Sequence, residues 1–185
     1  MATKLPEARI NSLGYQAISI ALATLAAQGL NALLYLAAAR ATSPVAFGRI
    51  VTSIAIGMIS TLVLDFGVNA LWVRELNSSR ITKEWLATLI VRKNIVALIL
   101  GTIIWALATL FGFNLSDSLL IYISVVAFQS SLVPLRAAKK GTRVALALLL
   151  ERVFAAGTFT TLCFAGLNPS LALVPSLALG SFTSA

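Results

Sequence analysis

The stretch "TLVLDFGVNALWVRELNSSR", residues 61–80, decides how the chain is read. A long apolar run carries one carboxylate, Asp65, before it reaches Arg74, the first basic residue that marks a watery end. The composition around it is of the same kind. The chain of 185 residues is 59% hydrophobic and 11% charged, with a mean hydropathy of +0.95. Soluble domains are only about 45–50% apolar, so most of this chain belongs in lipid.

Cutting at charges and turn residues leaves apolar segments at 12–39, 49–73, 85–112, 118–135, 143–166 and 169–185. A core about 30 Å thick needs about 17–25 helical residues, a length five segments meet and the last reaches only by using every remaining residue. The absence of period-two alternation, and the bilayer's demand that backbone groups pair internally, make these spans helices. The expected fold is all-α: a polytopic membrane protein of about six spans in one lobe, with no soluble domain inserted. Lys4 and Arg9 before the first segment resemble a signal peptide, but the apolar run is too long for one, and it is expected to stay as an anchor.

The net charge of +8 is read as topology, because nucleic-acid binding needs basic residues gathered on a solvated domain and none is long enough. Fourteen Lys and Arg are present. With the N-terminus inside, the cytoplasmic side collects Lys4, Arg9, Arg74, Arg80, Lys83, Arg92, Lys93, Arg136, Lys139, Lys140, Arg143 and Arg152, and the other side keeps Arg40 and Arg49. That bias of 12 to 2 in short loops is a positive-inside signal and places "FGFNLSDS" and "GLNPS" outside.

Enzyme chemistry finds no foothold. His is absent, Cys163 is alone, and the six acidic residues are scattered, so neither paired carboxylates, a phosphate loop nor a metal cluster can be read, and no catalytic residue, cofactor or metal is expected.

Two sets of residues carry the functional reading. Asp65 lies seven residues before Trp72, about 10 Å inside the cytoplasmic boundary of a continuous second helix. Arg92 and Lys93, eight and nine residues after Glu84, and Glu151 and Arg152, eight and nine after Arg143, reach a similar depth. Buried charge in lipid is costly, so Asp65, Arg92, Glu151 and Arg152 are candidates for an ion network or gate, with snorkelling the alternative for the cations. The second set is a stripe on the first helix, where Gly14, Ala17, Ala21, Thr24, Gln28, Asn31 and Tyr35 recur at steps of three and four. It serves either close helix packing or a wet groove contacting a sugar or phosphate. Gly57, Thr61, Asp65 and Asn69 form a similar stripe on the second helix, and the two stripes are expected to face one another. The candidate cavity lining is therefore Thr24, Gln28, Asn31, Tyr35 and Asn69.

"YLAAARATSPVAFGRIVTSIAIGMISTLVLDFGVNALWVREL", residues 35–76, resembles the first hairpin of the polysaccharide biosynthesis flippases, the Wzx-like branch of the multidrug/oligosaccharidyl-lipid/polysaccharide exporters. The likeness rests on an "AR…P…FG" turn followed by "D-G-N---VRE" and extends more weakly through "PLRAAKKGTRVALALLLERV". The family's turn usually holds an acidic residue where this chain has Val45 and Ala46, so no role for that charge carries over. The resemblance implies a transporter in the inner membrane that flips a lipid-linked oligosaccharide, usually on undecaprenyl diphosphate, for polysaccharide export. It also implies two similar lobes around a cavity. This chain covers the first, ends without a basic tail after the Pro175-interrupted "LALVPSLALGSFTSA", and is expected to work with a missing C-terminal lobe or a second copy of itself. The alternatives are a multidrug or cation antiporter of the same superfamily, a non-catalytic membrane subunit of polysaccharide assembly, and a membrane scaffold.

Overall fold

A computed structural model describes the backbone of residues 7–183 and the side chains of residues 14–183. Lys4 and the side chain of Arg9, counted in the charge bias, and the last two residues of the 169–185 segment lie outside them. The described residues form seven helices and no strand: α1 (Glu7–Arg40), α2 (Pro44–Asp65), α3 (Val68–Asn77), α4 (Lys83–Leu110), α5 (Ser116–Ala137), α6 (Gly141–Phe164) and α7 (Pro169–Thr183). Five of them, α1, α2, α4, α5 and α6, are long and apolar enough to cross a membrane. The chain is an all-helical, multi-pass membrane protein.

Two departures from the expected spans bear on the site. The second span starts at Pro44 rather than at residue 49, because Ser43 caps it by accepting from the Ala46 N–H at 3.3 Å with Pro44 in the first turn. Much of the "AR…P…FG" turn is thus already helix. The same span is also not continuous. Phe66 (φ 41°) and Gly67 (φ 74°) are both left-handed, which ends α2 at Asp65 and starts α3 at Val68. Gly67 takes this conformation without a Cβ clash, whereas Phe66 holds it at a cost of about 1–2 kcal/mol. The expected single helix over 49–73 is therefore two helices, and depth cannot be counted along it past Asp65.

Short connections alternate between two ends of the bundle. The connections after α3 and α5 carry Arg80, Lys139 and Lys140 and make a basic end; those after α1, α4 and α6 make the opposite end. At the centre stands α5, half of whose most apolar window is buried, against 22% or less for α1, α2, α4 and α6. Small residues on several sides of it let neighbours close in, and Ser124 and Ser131 return their hydroxyls to the Ile121 and Phe128 carbonyls of their own helix. On one side α2, α3 and α4 pack on α5; on the other α7 joins it to α6 and α1. The outward faces, such as Leu25 and Leu33 on α1 and Val91, Ile95 and Ile99 on α4, expose apolar side chains as lipid requires.

Glycines mark the closest approaches. A Cβ on Gly57 of α2 would stand 2.7 Å from the Ser118 carbonyl oxygen of α5, and one on Gly180 of α7 would stand 2.5 Å from the Glu151 carbonyl oxygen of α6. The Gly57–Thr61 stripe of α2 accordingly faces α5. It does not face the stripe of α1, which packs chiefly on α6.

Candidate functional site

Two polar clusters lie within the bundle, and sequence depth alone had merged them. The first spans the α2–α3 break. Lys93 of α4 forms an ion pair with Asp65, the last residue of α2, and donates to the Asn69 Oδ1 at 2.9 Å in the first turn of α3. Its ammonium also lies 5.6 Å from the centre of the Trp72 ring. One cation thus satisfies the carboxylate at the C-terminal end of α2, where the helix dipole is negative, and holds both sides of the break. The expected partners of Asp65 were Arg92 and Arg152; neither pairs with it.

The reason is helical register. Leu86, Ala97 and Gly101 are the buried positions of α4, and Lys93 falls four residues before Ala97 and eight before Gly101. Arg92 is rotated about 100° away. It is exposed and turns its guanidinium back over the Trp85 ring, 5.8 Å to the centroid. The spacing Leu86, Lys93, Ala97, Gly101 was the sequence signal that singles out Lys93.

The second cluster lies mid-helix between α1, α6 and α7. Glu151 is 4% exposed, accepts a hydrogen bond from the Ser181 hydroxyl at 2.6 Å and lies 3.6 Å from the Arg152 guanidinium. Arg152 also donates to the Asn31 Oδ1 at 3.5 Å. Tyr35 lines the same small space and meets Phe47 edge to face, 6.5 Å between centroids. Ser181 was not singled out from sequence, since a serine in an apolar segment has no period to betray it.

Not every expected lining residue reaches a cavity. Thr24 is exposed and returns its hydroxyl to the Ile20 carbonyl at 2.8 Å, and Gln28 is exposed one turn before Asn31. The packed line of α1 runs instead through Ala27, Asn31, Leu34 and Ala38. Asn69, by contrast, is buried.

The first cluster borders an open groove. A cavity of about 570 Å³ between α2, α3 and α5 is lined by Asp65, Asn69, Lys93, Gln129 and Arg136 along one edge and by Met58, Leu62 and Val125 along another. Arg136 donates to the Gln129 Oε1 at 3.2 Å and opens the groove toward the basic end. Met58 and Val125 also line the small space beside Arg152 and Asn31, so the groove and that space are neighbours. Three cations, Lys93, Arg136 and Arg152, and one carboxylate, Asp65, line the two spaces. No family model matches the chain, and neither a curated protein nor a solved structure shows significant similarity to it.

Proposed function

We propose that the chain is one lobe of a transporter that moves a lipid-linked oligosaccharide across the inner membrane, as in the Wzx-like exporters that residues 35–76 resemble. The observation that supports this reading is the groove. It combines a cationic mouth, amide side chains and an apolar wall in the interior of a lipid-embedded bundle. A diphosphate-linked sugar needs a cation to attract it and polar groups to replace its water, while its tail remains in hydrocarbon. Arg136 and Lys93 serve the first need, and Asn69 and Gln129 serve the second. The positive-inside bias puts the basic end in the cytoplasm, where such a cargo is made, and the N-terminus with it. A second lobe, from a further part of the protein or a second copy of this chain, would close the groove from the other side. Both intramembrane carboxylates are already engaged by cations, which favours this reading over an antiporter that needs a free one.

The experiment is export in cells lacking their own flippase. Arg136→Gln and Asn69→Leu should each reduce surface polysaccharide at unchanged protein level, whereas Thr24→Val and Gln28→Leu should not. Normal export with the groove substitutions, or loss of export only with the exposed ones, overturns the reading.

A further inference from the structure

We propose that the furrow between α2 and α4 binds the hydrocarbon tail of a phosphate-bearing lipid, and that the Asp65–Lys93 pair is a parting wall through which its headgroup reaches the groove. The second half rests on the transport reading; the binding itself does not.

The groove of about 570 Å³ has a neighbour. A second cavity of about 270 Å³ lies between α2, α3 and α4 and is lined by Leu64, Trp72, Leu89, Val96, Ala97 and Tyr122, with Arg92 as a second cation beside Lys93. Asp65, Lys93 and Val126 line both, so the two stand back to back. No helix separates them. α2 and α4 do not pack on one another; each is seated on α5, Gly57 against Ser118 and Ile121, and Gly101 against Leu119 and Tyr122. The wall between the cavities is the Lys93 side chain, reaching across to Asp65 and Asn69 above Val126.

The furrow continues toward the opposite end. Leu64 and Tyr122 also line a smaller space of about 50 Å³ with Gly101, Ile104 and Leu119. Its flanks are mostly apolar, with Arg92 in the wider space and Ser60 and Ser118 in the smaller, and its lips, Ile104 and Val96, are exposed where lipid would be. From the groove outward the chemistry therefore runs polar amides, then the cations Lys93 and Arg92, then a mainly apolar trough. That is the order of headgroup, phosphate and tail in a phospholipid-like molecule.

The wall can part without unfolding a helix. Lys93 carries a compact ammonium on a flexible stem, and a phosphate oxygen can replace the Asp65 carboxylate as its partner. Asp65, released, is the last residue of α2, beside the Phe66–Gly67 break. No covalent bond changes; one ion pair is exchanged for another.

The test uses the full chain in phosphatidylcholine vesicles containing phosphatidic acid with a diazirine in one acyl chain, and in parallel a diacylglycerol with the same chain. After irradiation, labelled residues are mapped by mass spectrometry, with Leu25 and Leu33 on the exposed face of α1 as the bulk-lipid reference. Phosphatidic acid should label Leu64, Val96 and Ala97 above that reference, and diacylglycerol should not. The neutral pair Asp65→Asn with Lys93→Gln should lower the phosphate-dependent labelling about tenfold, the loss of one charge-assisted hydrogen bond. Ala97→Phe, which fills the furrow and leaves the ion pair in place, should also remove it. Equal labelling by the two lipids, or phosphate-dependent labelling that survives in the neutral pair and in Ala97→Phe, overturns the proposal. Intact labelling in a chain that supports no export would sink the transport reading alone, and normal export without phosphate-dependent labelling would sink this inference alone.

Discussion

The Lys93 ammonium rests against the Asp65 carboxylate at the point where α2 stops, and the same ammonium is held by Asn69 at the start of α3. A helix break in lipid leaves a terminal carboxylate that needs a partner, and one side chain from α4 supplies it while holding Asn69 beyond the break.

The two residues should therefore behave as a unit. Lys93→Ala and Asp65→Ala should each lower stability in detergent unfolding, and the double substitution should cost less than their sum, with a coupling on the order of 1 kcal/mol. The reversed pair Asp65→Lys with Lys93→Asp should recover part of the loss. Additive effects would show that the pair does not hold the break. Arg92→Gln should change stability by no more than about 0.5 kcal/mol, because its guanidinium stacks on Trp85 outside the pair.

Helix approach gives a second prediction. Gly180→Ala places a methyl group 2.5 Å from the Glu151 carbonyl oxygen and should cost about 1–3 kcal/mol as α7 is pushed from α6. Gly29→Ala on α1 meets nothing within 4 Å and should stay within about 0.5 kcal/mol of the parent. Thermal unfolding of the two variants side by side checks this; equal losses would contradict the packing of α7.

The mid-helix cluster separates charge from hydrogen bonding. Glu151→Gln keeps an acceptor for the Ser181 hydroxyl, whereas Glu151→Leu leaves that hydroxyl and the Arg152 guanidinium without it. Glu151→Leu should be less stable than Glu151→Gln by about 1–3 kcal/mol, the cost of unsatisfied buried groups. Indistinguishable melting of the two would mean that Glu151 acts through its volume.

Sidedness is checked by labelling. In a Cys163→Ala background, Ser78→Cys and Asn114→Cys lie at opposite ends of the bundle, and both positions are exposed. An impermeant thiol reagent added to intact cells should label residue 114 and spare residue 78. The reverse pattern would invert the orientation drawn from the basic loops, and labelling of both would break the expected topology.

Composition, span length and the distribution of Lys and Arg are properties of short segments, and from them the sequence by itself determined an all-helical, multi-pass chain. The charged residues inside the bundle were legible for the same reason, since a charge within an apolar run is visible without knowing its neighbours. Their partners were not. Whether Arg92 or Lys93 meets Asp65 depends on a rotation of about 100° on a helix of mixed apolar faces. The pairing of Glu151 with Ser181 joins positions thirty residues apart. The break at Phe66–Gly67 was hidden because apolar residues continue across it, and a lone glycine within a membrane span is common. Only the tertiary structure decided these features, because in lipid hydrophobicity does not choose which face of a helix is buried. Close packing at small residues and the pairing of buried charge choose it, and both require two helices at once.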